Sequence, residues 1–159
     1  MATMTDQALL VQFANACKAQ VHVPWASFAN PSARAQKIYD ITCLVLDVCR
    51  VPRPGLELTG NLGGASGLFD FSHWKLKIDP NGFQQVSVPS KDEFMTLVTL
   101  IYHEARHCEQ WFHMARYAAV GHQSDLFTAL SAATETAARS NPGSKSHRNP
   151  TTKIERKEK

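Results

Sequence analysis

Apolar residues in the first 50 positions recur at intervals of three and four, which places them on one face of an α-helix. The first helix is predicted to begin with Thr5 as its N-cap and to reach about Ala19. The second is predicted to begin with Asn30 as its cap and Pro31 at its first position, because both residues suit a helix N-terminus. Its predicted buried face consists of Ile38, Ile41, Val45, Val48 and Cys49.

Between residues 56 and 88 the pattern changes to alternation of apolar and polar positions, which is typical of β-strands. Three strands are predicted, at residues 56–58, 67–71 and 74–78, with a turn at 79–82. We expect the last strand to face the core with Trp74, Leu76 and Ile78 and water with Lys75 and Lys77. The simplest arrangement is a small antiparallel sheet in which this lysine-bearing strand lies at an edge.

Helical spacing returns after residue 90 and predicts the longest element of the chain, from Ser90 or Lys91 to about Val120. A closing helix is predicted at residues 124–139. The apolar stripe of the long helix consists of Phe94, Leu97, Val98, Ile101, Ala105, Cys108, Phe112 and Ala115. Helices and strands in this order predict an α+β fold.

The last 19 residues of the chain differ from the rest in their charge. The 159 residues carry a net charge of +3, but residues 141–159 alone hold six basic and two acidic side chains. The remainder is nearly neutral and gives no reason to expect a nucleic-acid interface. We therefore predict one domain over residues 1–140 and a basic, disordered tail over 141–159.

The chain shows no signal for membrane insertion or export. Its N-terminus lacks a basic segment, and its apolar runs are much shorter than the 18 or so residues of a membrane span. The four cysteines are widely spaced and are expected to be buried free thiols. These features predict a soluble protein made in the cytoplasm, and they leave secretion by a route that needs no signal peptide open.

Residues 103–107 read His-Glu-Ala-Arg-His, an H-E-x-x-H motif inside the longest predicted helix. Positions four apart lie about 40° apart around a helix, so His103 and His107 can offer two imidazoles to one Zn²⁺ ion. Zinc lowers the pKa of bound water toward about 7, and Glu104 is placed to accept its proton as general base. The motif predicts a zinc-dependent hydrolase whose histidines face away from the apolar stripe of their helix.

His103, Glu104 and His107, with the strand pattern at residues 67–78 just upstream, resemble the zincin metallopeptidases. The resemblance covers roughly residues 56–140, and only the helix motif is specific. It implies a minimal zincin-like domain: N-terminal helices, a small sheet, the metal helix and a closing helix. It also implies that an extended peptide binds by adding a strand to the sheet edge.

The third zinc ligand differs among zincin subfamilies, and the sequence leaves it open. The gluzincin pattern implies a Glu on the next helix, here Glu135, which lies level with about residue 109 if the closing helix packs antiparallel. In the metzincin pattern His113 would serve, but Gln110 replaces the glycine at which that family's chain turns. The aspzincin pattern points to Asp125, which is better explained as first-turn charge of the closing helix. Two further candidates are Asp70 and His73.

The pattern H-E-x-x-H-x-x-Q, completed by Gln110, also looks like metallopeptidase domains of bacterial polymorphic toxins and injected effectors. That resemblance implies a peptide or protein substrate, with cell-wall peptide as one option, and a cognate inhibitor or immunity protein as partner. The contrasting hypothesis is a non-catalytic protein-binding domain on the same scaffold. Arg106 is expected to pair with Glu109 three residues on rather than to bind a substrate carboxylate.

Overall fold

Residues 2–121 of the chain are described by the computed structural model. They form three α-helices and one three-stranded sheet, so the α+β fold class is confirmed. The residues up to Met114 form one compact unit, and residues 115–121 continue the third helix in a second unit. The predicted closing helix and tail lie outside the described residues.

The first helix, α1, spans Gln7–Cys17, and its N-cap is Asp6 rather than the predicted Thr5. The Asp6 carboxylate accepts a 2.9 Å hydrogen bond from the backbone N–H of Ala8, which satisfies one of the free amides of the first turn. The helix widens after Cys17 into a π-helical turn at Lys18–His22. In this turn the carbonyl oxygen of Lys18 accepts a hydrogen bond from the N–H of Val23, five residues on, at 3.0 Å.

The second helix, α2, spans Pro31–Val48 and begins as predicted, with the Asn30 side chain accepting from the N–H of Ala33 at 2.8 Å. Its predicted buried face is confirmed except at Val48, which is 53% exposed. The chain leaves the helix through Arg50, whose φ of 58° places it in the left-handed region.

The sheet consists of β1 (Gly55–Leu58), β2 (Gly67–Asp70) and β3 (Lys75–Ile78) in the order β1–β3–β2. The prediction of an antiparallel sheet with β3 at an edge is wrong, because β3 is central and pairs in parallel with β1. Its lysines lie beside carboxylates of the flanking strands: Lys75 is 3.5 Å from Glu57, and Lys77 is 2.8 Å from Asp70. Cross-strand ion pairs of this kind let a lysine-bearing strand lie inside a sheet.

Leu76 and Ile78 of β3 are fully buried, as predicted. Trp74 is different, because it lies in the turn between β2 and β3 with φ of 52° and is only partly buried. Its ring packs edge-on against Phe69, with centroids 5.2 Å apart. The tight turn, rather than the strand, thus determines where this side chain lies.

The long helix, α3, spans Lys91–Gly121 and starts with a capping box. Ser90 Oγ accepts from the N–H of Glu93 at 3.3 Å, and the Glu93 carboxylate accepts from the N–H of Ser90 at 2.8 Å. The predicted stripe is confirmed in its central part, where Phe94, Val98, Ile101, Ala105 and Cys108 are buried. This stripe packs α3 onto the hydrophobic core, and the polar face of the helix lies on the opposite side.

The four cysteines are free and buried, as predicted. Burial raises the pKa of Cys17 and of Cys108 to about 12, so both thiols stay protonated at neutral pH. Within residues 2–121, no helix is both long and apolar enough to cross a membrane.

Arg34 of α2 is a buried basic residue, only 4% exposed. Its guanidinium donates to three backbone carbonyl oxygens, those of Trp25 at 3.3 Å, Phe83 at 2.8 Å and Gln85 at 2.9 Å. It also lies 4.7 Å from the centre of the Trp25 ring, which is a cation–π distance. Arg34 therefore joins α2 to the segment between the sheet and α3.

Candidate metal and substrate site

His103 and His107 lie one turn apart on the polar face of α3, and their side chains converge. Their Nε2 atoms are 3.0 Å apart, and the ring centres are 4.6 Å apart with nearly perpendicular planes. His103 is exposed and His107 is half-buried, so solvent reaches the pair from one side. The prediction that both histidines lie off the apolar stripe is confirmed.

The spacing of these two nitrogens suits a shared metal ion. Two nitrogens at about 2.05 Å from a tetrahedral zinc would lie about 3.3 Å apart, close to the separation of the two Nε2 atoms. Imidazole is also one of the ligands that zinc prefers. His103 and His107 are therefore the residues that would hold zinc in the described part of the chain.

Gln110 contacts the other nitrogen of the His107 ring. Its side-chain oxygen Oε1 lies 3.1 Å from His107 Nδ1, one helical turn further along α3. Gln110 thus shares the face of the two histidines, as expected for a residue three positions after His107 on a helix. The residue that departs from the metzincin pattern is thus in contact with a candidate zinc ligand.

Glu104 lies between the two histidines in sequence but is only 8% exposed. It forms no hydrogen bond or ion pair with any other residue in the range 2–121. Its carboxylate oxygens are not among the fully buried side-chain atoms that lack a partner, so they keep access to solvent and to a bound molecule. Glu104 has the environment expected of a group that acts on a bound molecule.

Strand β2 covers Glu104. A Cβ placed on Gly67 would lie 3.1 Å from Glu104 Cγ and 3.0 Å from Leu100 Cδ1, so a larger residue would require these side chains to shift. At the other end of β2, the ring of Phe71 stacks on that of Trp111 at 4.3 Å. The strand therefore runs beside α3 along the length of the motif.

The outer edge of β2 has no strand partner among residues 2–121, since β3 pairs with its other side. A free edge can take an added strand through its main-chain N–H and C=O groups. Within residues 2–121 the edge strands are thus β1 and β2, and not the lysine-bearing strand β3.

A cleft of about 480 Å³ opens beside His103. Its floor is formed by Leu97 and Leu100 of α3, and its rim includes Ser66 before β2 and Gly82 after β3. The cleft thus extends from His103 toward the N-terminal end of α3.

The structure brings no third ligand to the two histidines within the described residues, where no group of three His, Cys, Asp or Glu side chains could hold a metal. His113 Nε2 lies 4.0 Å from Glu109 Oε1, on another side of the unbroken helix. Asp70 is held by Lys77 at 2.8 Å and by His73 at 2.9 Å. Glu135 and Asp125 lie outside the described residues, so neither is tested.

Glu109 is a buried acidic residue that the sequence pattern did not identify. It is 2% exposed and lies in a mostly apolar core. It pairs with Arg106 at 2.7 Å, as predicted, and also accepts from the backbone N–H of Met4 at 2.8 Å. The hydroxyl of Tyr102 donates to the carbonyl oxygen of Met4 at 2.7 Å. These contacts fasten the N-terminal segment to α3, and they give Tyr102 a structural partner away from the histidines.

Replacing Gly67 with alanine is expected to lower the free energy of unfolding by about 1–2 kcal/mol, because the new methyl group overpacks the contact between β2 and α3. The same contact packs against Glu104, so the position of that side chain should change as well. Chemical denaturation measures the first effect. The matched control is Gly60→Ala, in the loop before β2, where the nearest atom would be 3.6 Å away. Equal denaturation midpoints for the two variants would contradict the expectation.

Comparison of the chain with protein-family models, with curated proteins and with solved structures found no match.

Proposed function

We propose that this protein is a zinc-dependent peptidase with a minimal zincin-like plan. The observation that carries the proposal is the convergence of His103 Nε2 and His107 Nε2, 3.0 Å apart, next to the buried and unpartnered Glu104. Two imidazoles at this spacing supply two of the three protein ligands of a catalytic zinc site, and the neighbouring carboxylate has the position of the general base in the H-E-x-x-H motif.

The two histidines and Glu104 have different proposed roles. His103 and His107 would hold the metal, and a bound zinc ion would supply Lewis-acid chemistry, activating water and polarising a carbonyl group. Glu104 would accept a proton at its carboxylate and return it to the leaving amine. Packing under β2 shields that carboxylate in part from bulk water, and its interaction with a proton donor is stronger there than in open solvent.

The substrate class follows from the strand beside the site. An extended peptide would pair with the outer edge of β2 through main-chain hydrogen bonds, which recognise a backbone rather than a particular side chain. Gly67 of this strand packs close to Glu104, where an added Cβ would lie 3.1 Å from Glu104 Cγ. A peptide bond on the added strand would therefore pass close to the general base.

A second candidate function is a non-catalytic domain that binds a protein segment at the same strand edge. One observation favours it: within residues 2–121 two metal-ligating side chains converge, whereas a catalytic zinc site has three protein ligands. The two functions differ in whether the chain holds zinc.

We expect tag-free full-length protein to retain about one zinc ion per chain after dialysis, and the His107→Ala variant to retain far less. Loss of one imidazole removes half of the paired donors and exposes the metal to exchange. Elemental mass spectrometry measures the ratio directly. His22→Ala serves as the matched control, because its ring lies 3.0 Å from the carbonyl oxygen of Pro89 rather than beside the paired histidines. A wild-type chain that holds no zinc after zinc is added would rule out the peptidase and favour the binding domain.

A further inference from the structure

The donor and the acceptor of the hydrogen bond between His107 and Gln110 can be assigned. A side-chain amide oxygen is only a hydrogen-bond acceptor, so at 3.1 Å the bond to Gln110 Oε1 requires a proton on His107 Nδ1. A neutral imidazole with its proton on Nδ1 has its lone pair on Nε2. That lone pair lies on the side of the ring that faces His103, 3.0 Å away.

The same bond also limits rotation of the ring. His107 is held at both nitrogens, by Gln110 on one side and by His103 on the other. An imidazole held in the ligating tautomer and orientation loses less freedom when a metal binds, and such outer partners raise metal affinity. Gln110 lies on the same helix as the two histidines, three residues beyond His107, so the support is built into α3.

The hydrogen bond between Gln110 and His107 is not expected to stabilise the fold. The side chain is exposed, and a hydrogen bond between exposed neutral groups contributes little to folding stability. Its loss should therefore affect the metal rather than the fold.

We propose that Gln110 is a positioning residue for the zinc site, which fixes the tautomer and orientation of His107 so that Nε2 is presented to the metal. The inference rests on the proposed function, because it assumes that zinc is the ion that His103 and His107 hold. It assigns to Gln110 a role through His107 and no contact with metal or substrate.

The test is a competition titration of zinc between the full-length protein and a chromophoric chelator. Gln110→Ala removes the acceptor and is expected to weaken zinc binding by about 10–100-fold, the usual effect of losing such an outer partner. Gln110→Glu keeps an acceptor oxygen at the same reach and should bind zinc at least as tightly as the wild type. Thermal unfolding of the metal-free proteins should give similar midpoints for all three.

The matched control is Gln36→Ala. Gln36 lies on the exposed face of α2 and donates to Asp40 at 2.8 Å, so its removal deletes a side-chain amide and a one-turn hydrogen bond elsewhere. The zinc affinity of the Gln36→Ala variant should equal that of the wild type.

Three outcomes would overturn the inference. If Gln110→Ala binds zinc as tightly as the wild type, the contact has no role at the metal, and the proposed function stands unaffected. If Gln110→Ala and Gln110→Glu are weakened equally, the acceptor oxygen is not what matters. If the wild type binds no zinc, the inference falls together with the proposed function.

Discussion

The Glu104→Gln variant is expected to cleave peptides about 10²–10⁴-fold more slowly than the wild type while holding the same amount of zinc. Glutamine has nearly the shape of glutamate, so it should fit beneath β2, where Gly67 leaves just enough room. Its amide cannot accept and return a proton at neutral pH, however. The change therefore removes the proposed chemistry and keeps the metal ligands.

The measurement is the rate at which a mixture of proteome-derived peptides is cut, followed by mass spectrometry, alongside zinc content for each variant. Glu57→Gln is the control, because Glu57 is an exposed residue of β1 that pairs with Lys75 on the outer face of the sheet. It makes the same chemical change away from the histidines and should leave the rate unchanged. A Glu104→Gln protein with the wild-type rate would show that another group is the general base.

The sequence predicts the parts of this site that depend on local spacing. The capping residues Asn30 and Ser90 begin α2 and α3 where their side chains can satisfy free backbone amides. The i, i+4 relation of His103 and His107 is a property of any helix, so their convergence could be expected before the structure was known.

Contacts between distant segments could not be predicted in the same way. Period-two alternation tells which face of a strand is buried, as at Leu76 and Ile78, but does not tell which strands are neighbours. The parallel pairing of β1 with β3 therefore appears only in the structure, and with it the finding that β1 and β2 are the edge strands within residues 2–121. The close approach of Gly67 to Glu104 has the same origin, since the two residues are 37 positions apart in the printed sequence.

Buried polar residues are the second class that pattern reading misses. Glu109 and Arg34 are charged residue types that usually lie at a surface, and nothing in their local spacing sets them apart. Both are buried because distant backbone groups satisfy them: the N–H of Met4 for Glu109 and the carbonyl oxygens of Phe83 and Gln85 for Arg34. Such partners are known only once the chain is folded.

Replacing Arg34 with methionine is expected to lower the free energy of unfolding by about 3 kcal/mol. Methionine fills much of the same space but donates no hydrogen bond, so three backbone carbonyl oxygens lose their donor together. The cation–π contact with Trp25 is lost as well. Arg34→Lys should give a smaller loss, because an ammonium keeps the charge but cannot reach all three oxygens in the planar arrangement of a guanidinium.

Chemical denaturation of each variant measures this effect, and Arg53→Met provides the contrast. Arg53 also forms a charged hydrogen bond, with Asp47, but its side chain is 54% exposed, and water can replace the partner. Equal midpoints for Arg34→Met and Arg53→Met would mean that burial does not strengthen the Arg34 contacts. Because Arg34 holds the segment that follows Gly82 on the rim of the cleft, its loss should also loosen that rim while leaving the spacing of His103 and His107, set by α3 alone, unchanged.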